Sequence, residues 1–95
     1  MTDTDQYLHD QMRSSLKIGD TVLVTRRSQR GEMGWDNDWV SDMDKYIGTW
    51  GVIRSLPALT AAGIEIDGFH FPYFVLSTKE YIESLENKHF LKLDV

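Results

Sequence analysis

The stretch "GIEIDGFHF", Gly63 to Phe71, constrains the fold more than any other part of the chain. Ile64 and Ile66 alternate with Glu65 and Asp67, the period of a strand with one face buried. Asp67-Gly68 follows, a pair suited to a two-residue hairpin turn, and the chain returns with Phe69 and Phe71 on one face and His70 on the other. Pro72 cannot donate to a ladder, so "PYFVL" is expected to be a single 3₁₀ turn followed by a short closing strand.

Other segments carry the same punctuation. "LKIGDTVLVT" reads as strand, tight turn and strand: Leu16 and Ile18, then Gly19-Asp20, then Val22 to Val24. In "GTWGVIRSL", Gly48 to Leu56, Trp50, Val52 and Ser55 break strict alternation, and the glycines imply a bulge or a close backbone contact. "PALTAAG" is a connector. In "STKE", Ser77 is expected as a helix N-cap with Glu80 reaching back, and Tyr81, Ile82 and Leu85 recur at helical spacing up to a stop at Asn87. Leu91, Leu93 and Val95 share one face of a final strand or extended segment. Residues 1–15 form an N-terminal arm or a short helix docked by Tyr7, Leu8 and Met12. The expected fold is therefore mainly β: a five-stranded barrel over 16–77 with a long first loop, then a short C-terminal helix and terminal strand over 78–95. A closed sheet would leave no bare edge.

Composition narrows the function. A chain of 95 residues fits one domain, and 41% hydrophobic with 12% aromatic residues is a globular composition. It has no cysteine, hence no disulfide and no thiolate metal site. No apolar run approaches the roughly 20 residues that span a bilayer, and "MTDTDQYLHDQM" lacks the basic and apolar regions of a signal peptide. A cytoplasmic protein is expected, in the host cytoplasm if phage-encoded. The formal charge of −5 argues against general nucleic-acid binding, which needs a basic face. The local exception, Arg26, Arg27 and Arg30 in "TRRSQR", is a candidate anion site, set against the commoner case of a solvated loop offsetting nearby acids.

"GWDNDWVSDMDKYIG", Gly34 to Gly48, concentrates the remaining chemistry. Asp36, Asp38, Asp42 and Asp44 are oxygen ligands in type, but a Ca²⁺ loop beginning at Asp36 would need Gly at its sixth position and Glu at its twelfth. Those positions hold Ser41 and Ile47, so no metal is expected, and the acids are read as turn and helix caps. Trp39, Met43 and Ile47 are expected to cover the open end of the barrel. Trp35, between Gly34 and Asp36 in a polar loop, is expected to stay accessible. His9, His70 and His89 lie in separate segments without metal-pair spacing, and no nucleophile or phosphate-loop motif is present. Neither a catalytic site nor a cofactor is expected.

"KIGDTVLVTR", "YIGTWGVI" and "FPYFVL", together with the tryptophan-bearing loop, resemble SH3-like barrels of the Mind bomb type. They are more similar still to small phage and bacterial proteins carrying W-x-x-x-W-V-x-x-M-D-x-Y-I-G. The resemblance covers about residues 16–76. It implies a non-enzymatic interaction module that binds a protein or peptide, with Trp35, Trp50 and Tyr73 lining a groove rimmed by Asp36 and Asp38. Such a groove suits a peptide carrying proline or basic residues. An alternative of another class is a small acidic phage-type inhibitor that presents the loop aspartates to a host defence or nucleic-acid-processing enzyme. A third, direct nucleic-acid binding through the three arginines with Trp35 stacking, is disfavoured by the net charge.

Overall fold

A computed structural model describes residues 2–85 of the chain. The chain opens with a helix, α1 (Asp3–Arg13), whose N-terminus is set by a reciprocal cap: Asp5 N–H donates to Thr2 Oγ1 at 3.1 Å and Thr2 N–H donates to Asp5 Oδ2 at 3.4 Å. Asp3 and Asp5 in its first turn and Arg13 in its last complement the helix dipole. Tyr7, fully buried, pins the helix: its ring lies 5.2 Å from that of Tyr73, and Tyr73 N–H donates to its phenolic oxygen at 3.2 Å. Burying a side chain of that size stabilises by roughly 1.5–3 kcal/mol, which settles the N-terminal segment as a docked helix.

Five strands follow: β1 (Thr21–Val24), β2 (Trp50–Val52), β3 (Ile64–Ile66), β4 (Phe69–Phe71) and β5 (Leu76–Thr78). They form two antiparallel sheets, one ordered β2-β1-β5 and one pairing β3 with β4. A single bridge between Ser55 and Glu65 links the end of the β2 segment to β3. The β3–β4 turn places Asp67 at φ 53° and Gly68 at φ 84°, as the hairpin reading requires. A 3₁₀ turn, Tyr73–Val75, separates β4 from β5, also as read from Pro72 onward. Val22, Val24, Ile53, Ile64, Ile66 and Phe71 meet between the two sheets in one core, which Tyr7 enters from α1.

Four expectations change. The closed barrel does not form among the described residues, because β4 and β5 are unpaired: Pro72 ends the ladder and the 3₁₀ turn intervenes. With α1 spanning 11 residues and the strands three or four each, the domain is α/β rather than mainly β. Leu16 to Ile18 is not a strand. Asp20 Oδ2 accepts from Lys17 N–H at 2.9 Å while Asp20 N–H donates to Lys17 O at 3.0 Å, so the segment is consumed by a turn and Ile18 is exposed. Residues 79–85 are helical, but the cap is Thr78, whose Oγ1 accepts from Tyr81 N–H at 3.1 Å, because Ser77 is held in β5 against Leu23. The stop at Asn87 and the strand over Leu91–Val95 lie outside the described residues.

Candidate interaction surface

The long loop between β1 and β2 is laced to the core rather than displayed. Trp35 is only 1% exposed, and its indole Nε1–H donates to Ala62 O at 2.7 Å. The neighbouring backbone is stitched to the same place: Asp36 N–H donates to Ala61 O at 2.9 Å and Asn37 Nδ2 to Ala62 O at 3.2 Å. The expectation of an accessible Trp35 is thus corrected, since the polar residues around it serve as its anchors. Trp39 and Met43 are buried as expected, Trp39 meeting the Phe71 ring edge-on at 5.5 Å and donating from Nε1 to Asp44 Oδ1 at 2.7 Å. Tyr46 closes the same cluster at 5.7 Å from Phe69, whereas Ile47 faces solvent.

The charges of the loop pair with one another. Glu32 receives Arg26 Nη1 at 3.1 Å and Nη2 at 2.7 Å, and also Ser28 Oγ at 3.2 Å and Gln29 N–H at 3.0 Å. The guanidinium bonds first, and then the Gln29 N–H, hold the Glu32 carboxyl down to about 2. Arg27 lies 3.6 Å from Asp44 and Arg30 3.2 Å from Asp38. Each of the three arginines therefore faces its own carboxylate, the pattern of a self-neutralised loop. An open cleft of about 810 Å³ is lined by Arg27, Ser28, Gln29, Arg30, Asp38 and Trp39, and its cations share it with Asp38. Asp36 and Asp42 have no ion pair among the described residues. Among those residues no three of His, Cys, Asp or Glu are placed to share a metal ion.

Because the folded Glu32 carboxyl sits below its ordinary 4.5, its contribution is complete above that pH and fades as pH falls toward about 2. Glu32→Gln is therefore expected to lower the urea midpoint at pH 7, with a deficit that shrinks to a minor fraction of that size at pH 2.5. Urea melts of both proteins at the two pH values check this, and an equal deficit at pH 2.5 would remove Glu32 ionisation as the cause.

Trp35, Trp50 and Tyr73 do not assemble into one groove. Trp35 is in the core, and Tyr73 is half-buried, its ring 5.2 Å from Tyr7 and 5.3 Å from Phe74. Trp50 alone is presented outward. It is 47% exposed on β2, with Val52 44% exposed beside it, while Gly51 between them faces inward against Ile66. The β1–β2 register pairs Trp50 with Leu23 and Val52 with Thr21, and the β1–β5 register pairs Leu23 with Ser77. Paired residues share a face, so Thr21, Leu23, Trp50, Val52 and Ser77 form an outer sheet face without a single charge in a chain of 15 acids. Neither Val52 nor Leu23 is among the residues expected to line a binding surface. Their signal was present in "TVLV" and "WGV", where apolar residues occupy both faces of the strand.

Comparison with protein-family models, with curated proteins and with solved structures finds no match to this chain.

Proposed function

We propose that this chain is a non-enzymatic interaction domain that binds a protein partner through the outer face of the β2-β1-β5 sheet, centred on Trp50. The observation that carries the reading is the outward Trp50, backed by Leu23 and flanked by Val52, on a charge-free face. Interface centres are depleted in charge and enriched in tryptophan, and such anchors often contribute most of the affinity. We read the fold as an open SH3-like barrel. The order β5-β1-β2, the Ser55–Glu65 bridge onward to β3-β4, and the 3₁₀ turn before β5 support that reading.

The test is affinity capture from the organism's own cells with the parent protein and with Trp50→Ala, each checked for melting temperature. Trp50→Ala is expected to change stability by about 1 kcal/mol or less, since half of the ring is already in water. Loss of a central anchor costs about 2 kcal/mol or more, roughly 30-fold in affinity, for the captured partner. Undiminished affinity in a folded Trp50→Ala protein would end the proposal.

A further inference from the structure

β2 is the open edge of the β2-β1-β5 sheet. Ile53 N–H donates to Asp20 O at 2.9 Å and Val24 N–H donates to Thr49 O at 3.1 Å, so residues 49, 51 and 53 turn their backbone groups toward β1. Trp50 and Val52, lying between them, therefore turn theirs outward. Among the described residues neither their amides nor their carbonyls have a backbone or side-chain partner. The open run is bounded at both ends: Gly48 N–H is taken by Val24 O at 2.7 Å, and Arg54 N–H by Glu65 O at 2.9 Å, where β3 meets the edge. Two donors and two acceptors are left on a three-residue strand. Natural sheets blunt such edges with charge or proline, and Trp50-Gly51-Val52 carries neither.

β2 is complementary to itself. When two copies run antiparallel with Gly51 opposite Gly51 on a two-fold axis, Trp50 of each chain lies opposite Val52 of the other, and all the open donors and acceptors are used. Sliding the register breaks this match, because it brings in the Gly48 or Arg54 amide, and both are already bonded. The two glycines meet as a non-hydrogen-bonded pair, where side chains approach most closely, and having none they leave the inner side of the junction clear. On the outer side each indole meets a valine, a favourable aromatic and β-branched pairing. Charge agrees: chains of formal charge −5 would meet along a strand on which neither presents an ion. We infer that β2 pairs antiparallel with β2 of a second copy of this chain, joining the two sheets into one of six strands. The inference rests on the Trp50 reading and names a partner for it.

The test is sedimentation equilibrium of the full chain, with amide hydrogen exchange followed by NMR at the same concentrations. So short an edge buries less than the roughly 1,200–2,000 Å² of a stable interface, so half-association is expected at about 0.1–1 mM chain. The mass should rise from one chain toward two across that range. The Trp50 and Val52 amides, fast to exchange in dilute protein, should slow in proportion to the fraction of chains left unpaired. Val52→Glu, at a half-exposed position, is expected to keep the parent fold and to weaken association about ten-fold or more, by setting a carboxylate against the opposite indole. A chain that stays monomeric throughout overturns the inference but not the Trp50 reading, which falls only if folded Trp50→Ala keeps full affinity for a captured partner. A dimer in which the Trp50 and Val52 amides still exchange fast overturns it as well, by marking another interface. So does protection of those amides at every concentration, which would mean that the edge is filled within one chain.

Discussion

Trp35→Ala is expected to destabilise the domain by about 3–5 kcal/mol, the cost of truncating a large buried aromatic. The residue is 1% exposed, so the whole ring volume becomes cavity. The loss reaches further than packing, because the indole N–H shares Ala62 O with Asn37, and Asp36 N–H holds Ala61 O next to it. Those three bonds fasten the loop between β1 and β2 to the segment that enters β3. Against a usual total of about 5–15 kcal/mol for a domain, the variant should be substantially unfolded in mild urea. Trp35→Phe should fall between, since the ring is largely restored while Ala62 O keeps the Asn37 bond. Equilibrium urea unfolding measures both, and a Trp35→Ala protein as stable as the parent would return Trp35 to the surface.

Gly63→Ala is expected to cost at least about 2 kcal/mol, combining backbone strain with a steric conflict. Gly63 sits at φ +112°, outside the ordinary range of residues with a side chain. A methyl group there would lie 2.7 Å from Phe71 O and 2.9 Å from Trp35 Nε1. Relief would have to come from the β3–β4 hairpin or from the indole, and the indole cannot retreat without breaking its bond to Ala62 O. The two sites are in contact, so Gly63→Ala and Trp35→Phe should be non-additive in a double-mutant cycle. Thermal and urea melts of the four proteins give the coupling. Additive losses would mean that the added methyl is accommodated away from Trp35.

These two residues show where local pattern stops informing. The hairpin was legible because Ile64, Ile66, Asp67, Gly68 and Phe71 specify it within a few positions. The 3₁₀ turn after Pro72 and the burial of Trp39 and Met43 followed from similarly short-range cues. Trp35 misled because its neighbours Gly34, Asp36 and Asn37 resemble an exposed loop, yet the partners of Trp35, Asp36 and Asn37 lie about 25 residues further on, at Ala61 and Ala62. Sequence spacing carries no trace of such a stitch. The same holds for Leu16 to Ile18, whose apolar alternation lost to the Asp20 side chain, and for Ser77, whose place in β5 moved the helix cap to Thr78. The arginines of "TRRSQR" pair with acids six to seventeen residues away, at Glu32, Asp38 and Asp44. Of the expected groove residues, Trp50 keeps a place in the proposed surface, on a face of the sheet that Trp35 and Tyr73 do not share.

On the proposed surface Trp50, and not Trp35, is the tryptophan open to solvent and so to a partner. Acrylamide quenching of tryptophan fluorescence in the parent protein, Trp50→Phe and Trp35→Phe tests it directly. The parent should show a readily quenched, red-shifted component that disappears in Trp50→Phe, leaving the shielded, blue-shifted emission of Trp35 and Trp39. A quenched component that survives in Trp50→Phe and vanishes in a folded Trp35→Phe protein would contradict it.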